Sequence, residues 1–388
     1  MKSLVVDAEW RPKKGYQLSE DEKTRKRARS GSHVWRNPQF DIKNKPIPNI
    51  EDDEVLIRVK ACGICGSDTH LYETTRDGYI IFSGPVKLPC IIGHEYSGIV
   101  EKVGKKVINF KVGDKVAVES VLWCGKCTPC RSGSVNQCDR VELAGITVDG
   151  ALAEFAKAKE RHCWSINSLS EAYKKDELFN VGSLIEPAGC AYNGIFISGG
   201  GFKPGATVVV YGVGPIGLAA VALSRLAGAG IVIAFDVKKE RLKIAKEMGA
   251  DYIFDINDKG AGNMPSEKVK ELTKGYGAEI QVEAAGAAPL TVPEMEKAMA
   301  VNGKIIYLGR AATSTPMFLD SLVSGANSII GARGHAGYGI FHYIIKLLSR
   351  KRLMLDKMIT SIYSFDKVMD AIAKSSKRTD GKIIIKVS

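Results

Sequence analysis

The chain has 388 residues, 45% of them hydrophobic and 25% charged, the composition of an ordinary globular protein of about two domains. Its net charge is +12, yet the basic residues are dispersed and no aromatic-plus-basic recognition pattern accompanies them, which argues against nucleic acid as a partner. The longest apolar segment, residues 206–223, is interrupted by Gly212, Gly214, Pro215 and Gly217, so no membrane span is expected, and with no basic stretch leading into a long apolar run near residue 1 the expectation is a cytoplasmic protein.

In chain order, residues 4–6 read as a first strand, followed by a polar segment over 11–33. Its basic run, Lys23 to Arg29, follows Glu20-Asp21-Glu22 and reads as a solvated helix face. Strands are expected at 34–42 and 55–60, separated by Pro46, Pro48 and an acidic turn. The stretch Cys65-Gly66-Ser67-Asp68-Thr69-His70 then gathers a thiol, a hydroxyl, a carboxylate and an imidazole. A loop with Gly78, Gly84, Pro85 and Pro89 fills 71–90, after which Gly93-His94-Glu95 adds an imidazole and a carboxylate. Strand, turn and strand follow over 96–118, and the many short strands before residue 165 predict a β-rich domain. Leu184-Ile185-Glu186-Pro187 contributes a second carboxylate. Zinc takes sulfur, nitrogen and carboxylate oxygen at tetrahedral positions, and a catalytic site keeps one position open. Cys65 and His94 with either Glu95 or Glu186 would leave such an opening, and the sequence does not choose between the two acids.

The nine cysteines cannot all pair within one chain. Four of them, Cys124, Cys127, Cys130 and Cys138, form a tight cluster around Gly125 and Gly133. Four thiolates on a short loop close a tetrahedral shell, which describes a structural zinc site, and closely spaced disulfides would be strained. Cys62 and Cys65 spell a redox pair without a thioredoxin-like context. Cys62, Cys90, Cys163 and Cys190 read as packing thiols.

The character changes near residue 190. The β-branched run Thr207-Val208-Val209-Val210-Tyr211 leads into Gly212-Val213-Gly214-Pro215-Ile216-Gly217, then an Ala- and Leu-rich helix, then a strand ending at Asp236. A glycine pattern alone is weak evidence. Set between strand and helix, with an acid about 20 residues on, it is the dinucleotide fingerprint. Gly212, Gly214 and Gly217 would let the backbone approach a pyrophosphate where Pro215 and Ile216 open the helix. Asp236 would accept the adenosine ribose hydroxyls and repel a 2′-phosphate, which predicts NAD over NADP, although Lys238 and Lys239 blur this. Arg241 is counted with the cofactor contacts. Strands at 252–254, 280–284, 303–309 and 328–331, with helices at 239–248, 268–273 and 293–300, complete a six-strand doubly wound sheet. A helix from 340 to 348 and a last strand at 382–387 are assigned to the first domain. The expected division is therefore 1–190 with 340–388, and 191–339.

On these motifs the chain resembles the zinc-containing medium-chain alcohol and polyol dehydrogenases. The resemblance spans nearly the whole length and implies an α/β fold, a GroES-like catalytic domain beside a Rossmann domain. It also implies two zinc ions per subunit, one catalytic and one structural, NAD as hydride acceptor, and a homo-oligomer, dimer or tetramer. By the same resemblance, the substrate proton passes through Ser67 to His70, and Asp68 steadies His94. Gly78-Tyr79-Ile80, Leu122-Trp123-Cys124-Gly125, Val148-Asp149-Gly150-Ala151 and Gly334-His335-Ala336-Gly337 are similar to the scyllo-inosose 3-dehydrogenase group within that superfamily, which implies a polyol or cyclitol substrate. Sorbitol and threonine dehydrogenases are the alternatives among enzymes, and a zinc- and nucleotide-binding redox sensor is the alternative outside them. Plainer readings stand beside each role: Ser67 could cap a helix beginning at Asp68, and His70 could be a surface histidine. His335 and, more weakly, Glu154 are further candidates. Segments 11–33 and 71–90, with Tyr72, Arg76, Asp77 and Tyr79, could roof a polar pocket or form a subunit contact.

Overall fold

The computed structural model describes residues 1–258, 264–310 and 313–388. They form two compact units. The first comprises Met1–Glu186, Ser361–Lys377 and Ile383–Ser388. Its central strand, Glu54–Gly63, is apolar and buried at most positions because it is paired along both edges. Glu95–Val103 runs antiparallel on one side, with Cys62 opposite Tyr96 and Gly63 opposite Glu95. Phe155–Lys159 pairs with its first half, and Ile384, Ile385 and Lys386 pair with Gly63, Cys62 and Ala61. This register brings the residues just after Gly63 and just before Glu95 to the same end of the sheet. The expected return of the last strand to the first domain is thus observed. A smaller sheet joins Trp35–Asn44, Lys2–Trp10 and Cys90–Ile91.

The 11–33 segment differs from its expected form. It holds a short helix, Glu20–Arg25, opened by Ser19 in a capping box with Glu22. Glu22 is buried rather than solvated. It accepts from Tyr16 Oη at 3.0 Å, from the Arg29 backbone N–H at 2.9 Å and from Arg29 Nε at 2.9 Å. Burial alone would raise this carboxyl, but the bonds from Arg29, Ser19 and Tyr16 prevail and hold it at about 2. The segment then zips onto the 71–90 loop through Gly31 N–H to Gly84 O and Ser32 N–H to Phe82 O, both 2.8 Å. Tyr79 is buried there under Lys13 and Arg36, and the Asp77 carbonyl accepts from Arg36 Nε.

The second unit comprises Pro187–Thr360 and Arg378–Lys382. Its sheet has six parallel strands in the order Tyr252–Asp255, Ile231–Asp236, Thr207–Tyr211, Ala278–Glu283, Met299–Tyr307, Ser328–Gly331. Thr207–Tyr211 is buried at every position, as a central parallel strand covered on both faces must be. One helix expected to start at Pro293 instead runs Ala288–Lys297, with another proline in its opening turn and Pro293 inside it. Residues 340–360, expected with the zinc-carrying domain, cluster with this unit. The reason is the apolar face of helix Ile340–Ser349, whose Ile340, Phe341, Ile344, Ile345 and Leu348 are buried. Among the described residues no helix is long and apolar enough to cross a membrane.

Candidate active site

The end of the central strand delivers Cys65. Helix Gly66–Tyr72 begins at once, with Cys65 at its N-cap position and Asp68 Oδ2 accepting the Cys65 backbone N–H at 2.9 Å. The helix therefore starts two residues before Asp68, and Ser67 lies inside it rather than capping it. Ser67 and His70 sit one turn apart, the spacing that places two side chains on one helix face. From the paired strand, His94 and Glu95 arrive buried at 5% and 1% exposure. The preceding residue must be glycine: Gly93 has φ +88°, and a Cβ there would lie 2.6 Å from Leu152 and 2.9 Å from Cys62 Sγ.

One ligand atom each from Cys65, His94 and Glu95 lies within 4.8 Å of the others. Ser67 Oγ is 3.3 Å from His94 Nε2, and Asp68 Oδ1, fully buried, is 3.8 Å from His94 Nδ1. Burial alone would favour a neutral His94, but the charges of Cys65, Asp68 and Glu186 raise its pKa well above the ordinary value. Thiol, imidazole and carboxylate gathered in a partly buried nest are the donor set that zinc takes. Glu186 is buried outside this three-residue group, and its Oε1 accepts from the Ser120 hydroxyl at 2.7 Å. Ser120 was not singled out in the sequence. A lone serine has no signature, and its partner stands far along the chain.

The four clustered cysteines also converge, with Cys124, Cys127, Cys130 and Cys138 sulfurs all within 4.8 Å of one another. Backbone N–H groups of Lys126 and Arg140 donate to Cys124 Sγ and Cys138 Sγ, both at 3.3 Å. The amides of Lys126 and Cys127 draw the Cys124 thiol down to about 6, whereas burial pushes Cys130 up to about 12. Four sulfurs and no open position fit a closed tetrahedral ion. The lobe is anchored by buried Glu119, whose two oxygens accept from Trp123 Nε1 at 3.3 Å and Trp164 Nε1 at 3.0 Å. A cavity of about 610 Å³ beside Trp123 and Arg161 includes none of Cys65, His94 or Glu95.

In the second unit the glycine-rich turn has the shape a pyrophosphate cradle needs. Gly212 has φ +83°, and a Cβ on it would meet Ala285 at 2.6 Å; a Cβ on Gly217 would collide with the Gly212 carbonyl. Gly214 precedes helix Pro215–Leu226, leaving the first N–H groups of that helix open to an anion. Asp236 is buried at its strand end, where its two oxygens accept from Val213 N–H at 2.7 Å and Lys238 N–H at 2.8 Å. Arg241 places Nη1 3.5 Å from a Cβ built on Gly214 and donates from Nε to the Asp380 carbonyl at 2.8 Å. Of the weaker candidates, His335 is fully buried and packs on Phe341. Glu154 accepts from the Lys2 backbone N–H. Asn193, unremarked in the sequence, is buried and donates to the Arg333 and Gly334 carbonyls at 3.2 and 2.9 Å, fixing the loop before His335.

Known proteins carry the same combination. Residues 51–168 match the alcohol dehydrogenase GroES-like domain and residues 215–350 the zinc-binding dehydrogenase domain. The chain is 37% identical to the scyllo-inosose 3-dehydrogenase of Thermotoga maritima, covering 100% of this chain and 99% of that one. It is 33% identical to the sorbitol dehydrogenase of Bacillus subtilis over 87% of this chain and 90% of that one. A solved alcohol dehydrogenase structure from Thermotoga maritima, 35% identical, superposes with a TM-score of 0.94 over 100% of both chains. With both family domains matched in order and full-length relatives among polyol enzymes, the chain belongs to the zinc-containing medium-chain alcohol and polyol dehydrogenases.

Proposed function

We propose that this dehydrogenase oxidises a secondary hydroxyl of a polyol or cyclitol with NAD, and that scyllo-inosose is its substrate. The observation that carries the chemistry is the half-buried Cys65 grouped with buried His94 and Glu95, with Ser67 beside them; the full-length likeness to the Thermotoga maritima enzyme favours the substrate. Cys65, His94 and Glu95 would hold a catalytic zinc, with Glu186 in reserve, and Cys124, Cys127, Cys130 and Cys138 a structural one. When bound, zinc supplies the Lewis acidity that lowers the pKa of a substrate hydroxyl, and the nicotinamide supplies the hydride acceptor. Ser67 Oγ receives the hydroxyl proton and hands it toward His70, one turn along the helix. Asp68 orients the His94 ring. Gly212, Gly214, Pro215, Ile216 and Gly217 admit the pyrophosphate to the helix N-terminus, and Arg241 adds positive charge beside Gly214. The fixed carboxylate of Asp236 accepts ribose hydroxyls and disfavours a 2′-phosphate, which supports NAD over NADP.

A second reading, a linear-polyol dehydrogenase, draws on the sorbitol dehydrogenase relative. NADH formation by zinc-loaded protein on scyllo-inosose, myo-inositol, sorbitol and threonine separates the two. Preference for scyllo-inosose is expected. Preference for sorbitol or threonine would discard the cyclitol substrate and keep the zinc scheme, whereas full turnover by Cys65→Ser would sink the scheme itself.

A further inference from the structure

A dinucleotide lies across the carboxyl ends of the strands of a doubly wound sheet. Asp236 ends one strand, and the Gly212 turn follows the strand beside it. A cofactor with its adenosine ribose on Asp236 and its pyrophosphate on the Gly212 turn therefore extends next over the strand that ends at Glu283, the neighbour of Tyr211 in register. Beyond it comes the strand that ends at Tyr307. Glu283 is fully buried, and among the described residues no lysine, arginine or histidine pairs with it. A buried carboxyl is costly unless it is hydrogen-bonded, and an apolar side chain would fill this strand position without that cost.

What the acid adds is a set of bonds to the next turn. Oε2 accepts from Gly286 N–H and Oε1 from Ala287 N–H, both at 3.2 Å, and Oε1 also accepts from the Thr291 hydroxyl at 3.3 Å. Burial pushes the carboxyl up, and these bonds oppose it. The Glu283 carbonyl accepts from Leu308 and Gly309 N–H, both at 2.9 Å, and a Cβ on Gly309 would collide with Oε2. Ala284 N–H donates to the Tyr211 carbonyl at 2.8 Å, and Ala285 occupies the space that a Cβ on Gly212 would need. One residue thus ties the turns 284–287 and 308–309 together, next to the glycine-rich turn.

We propose that Glu283 is a positioning residue for the nicotinamide half of the cofactor, locking the turns 284–287 and 308–309 into the wall that receives the ring. This rests on the NAD reading given above.

The test titrates the full-length, zinc-loaded protein calorimetrically with two ligands: NADH, and ADP-ribose, which has the adenosine, the pyrophosphate and the second ribose but no nicotinamide. In Glu283→Gln the amide fills the same space, yet whichever way it faces, Gly286 N–H or Ala287 N–H loses its acceptor. The turns then leave the receiving shape, and affinity falls by the fraction that still holds it. NADH is expected to bind about tenfold or more weakly, and ADP-ribose within about twofold of the parent because its contacts lie on the Asp236 side. Thr291→Val, which removes one donor to Oε1 and disturbs less, is expected to lose about threefold in NADH affinity alone. Equal loss of both ligands in either variant, the mark of a merely structural role, overturns the proposal, as does parent-like NADH binding in both. A parent protein that binds neither ligand would overturn the NAD reading instead, and the proposal with it.

Discussion

Asp68→Asn tests the site through a residue set behind both Cys65 and His94. Asp68 is fully buried; Oδ2 takes the Cys65 N–H at 2.9 Å and Oδ1 faces His94 Nδ1 at 3.8 Å. Asparagine keeps one acceptor oxygen and turns the other corner into an NH2 donor. If the oxygen stays on the Cys65 N–H, the NH2 opposes Nδ1–H and favours the tautomer protonated at Nε2, the nitrogen beside Ser67. If the amide turns round, two donors meet at the start of the Ser67 helix. The first arrangement protonates the Nε2 lone pair that a metal would take, and the second leaves one buried donor unsatisfied, at about 1–3 kcal/mol. That corresponds to roughly 5–150-fold in zinc retention, and a similar loss is expected in kcat/KM. The assay is zinc content after graded chelator dialysis beside steady-state kinetics, with the Michaelis constant for NAD unchanged, because Asp236 and the glycine-rich turn belong to the other unit. Parent-like zinc retention and turnover in Asp68→Asn would refute the assignment of Asp68 as the group that orients His94.

Replacing Gly93 by alanine forces a side chain into φ +88° against Leu152 and Cys62, costing about 2–5 kcal/mol when the left-handed strain and the overpacking are combined. Calorimetry should show the melting of the zinc-carrying unit lowered and activity lost; an unshifted transition would contradict the steric argument. The Glu22 carboxyl titrates at about 2 when folded, below its ordinary value. The stability it lends the 11–33 segment is therefore complete above the unfolded pKa near 4.3 and is lost as pH falls toward 2, a contribution of at most about 3 kcal/mol. A carboxyl chemical-shift titration of Glu22 with a midpoint of 4 or higher would remove the basis for this. Asp236→Asn removes the charge while keeping an acceptor for Val213 N–H or Lys238 N–H, and should raise the NADP to NAD ratio of kcat/KM about tenfold or more; an unchanged ratio would mean that cofactor choice is made elsewhere.

The parts legible in the sequence are those whose chemistry demands neighbours along the chain. Four sulfurs around one ion, or glycines where a strand turns into a helix, leave a local spacing that no packing context can disguise. Ser120 left none, since the carboxylate it donates to, Glu186, is brought to it by the fold. The burial of Glu22 was not legible for a related reason. An acid in a charged run is usually solvated, and only the folded chain gathers Ser19, Tyr16 and Arg29 around it. The helix through Pro293 shows the limit of a proline as punctuation, for its start was fixed earlier. Residues 340–360 could not be assigned by periodicity, which reveals that a face is apolar and not which core it joins.

The strand that delivers Cys65 is completed by a segment that follows the parallel-sheet unit in the chain: Ile64 N–H donates to the Ile383 carbonyl at 2.9 Å, and Ile384 lies opposite Gly63. Every residue of the six-strand parallel sheet lies between these two partners in the order of synthesis. The second unit can therefore be wholly made, and its local strand pairings formed, while the strand beside Cys65 still lacks a neighbour along the half of one edge nearest Cys65. During translation the Cys65 thiol precedes its full structural support by most of the length of the chain, and a nascent protein halted before residue 383 would carry Cys65 on an unfinished sheet.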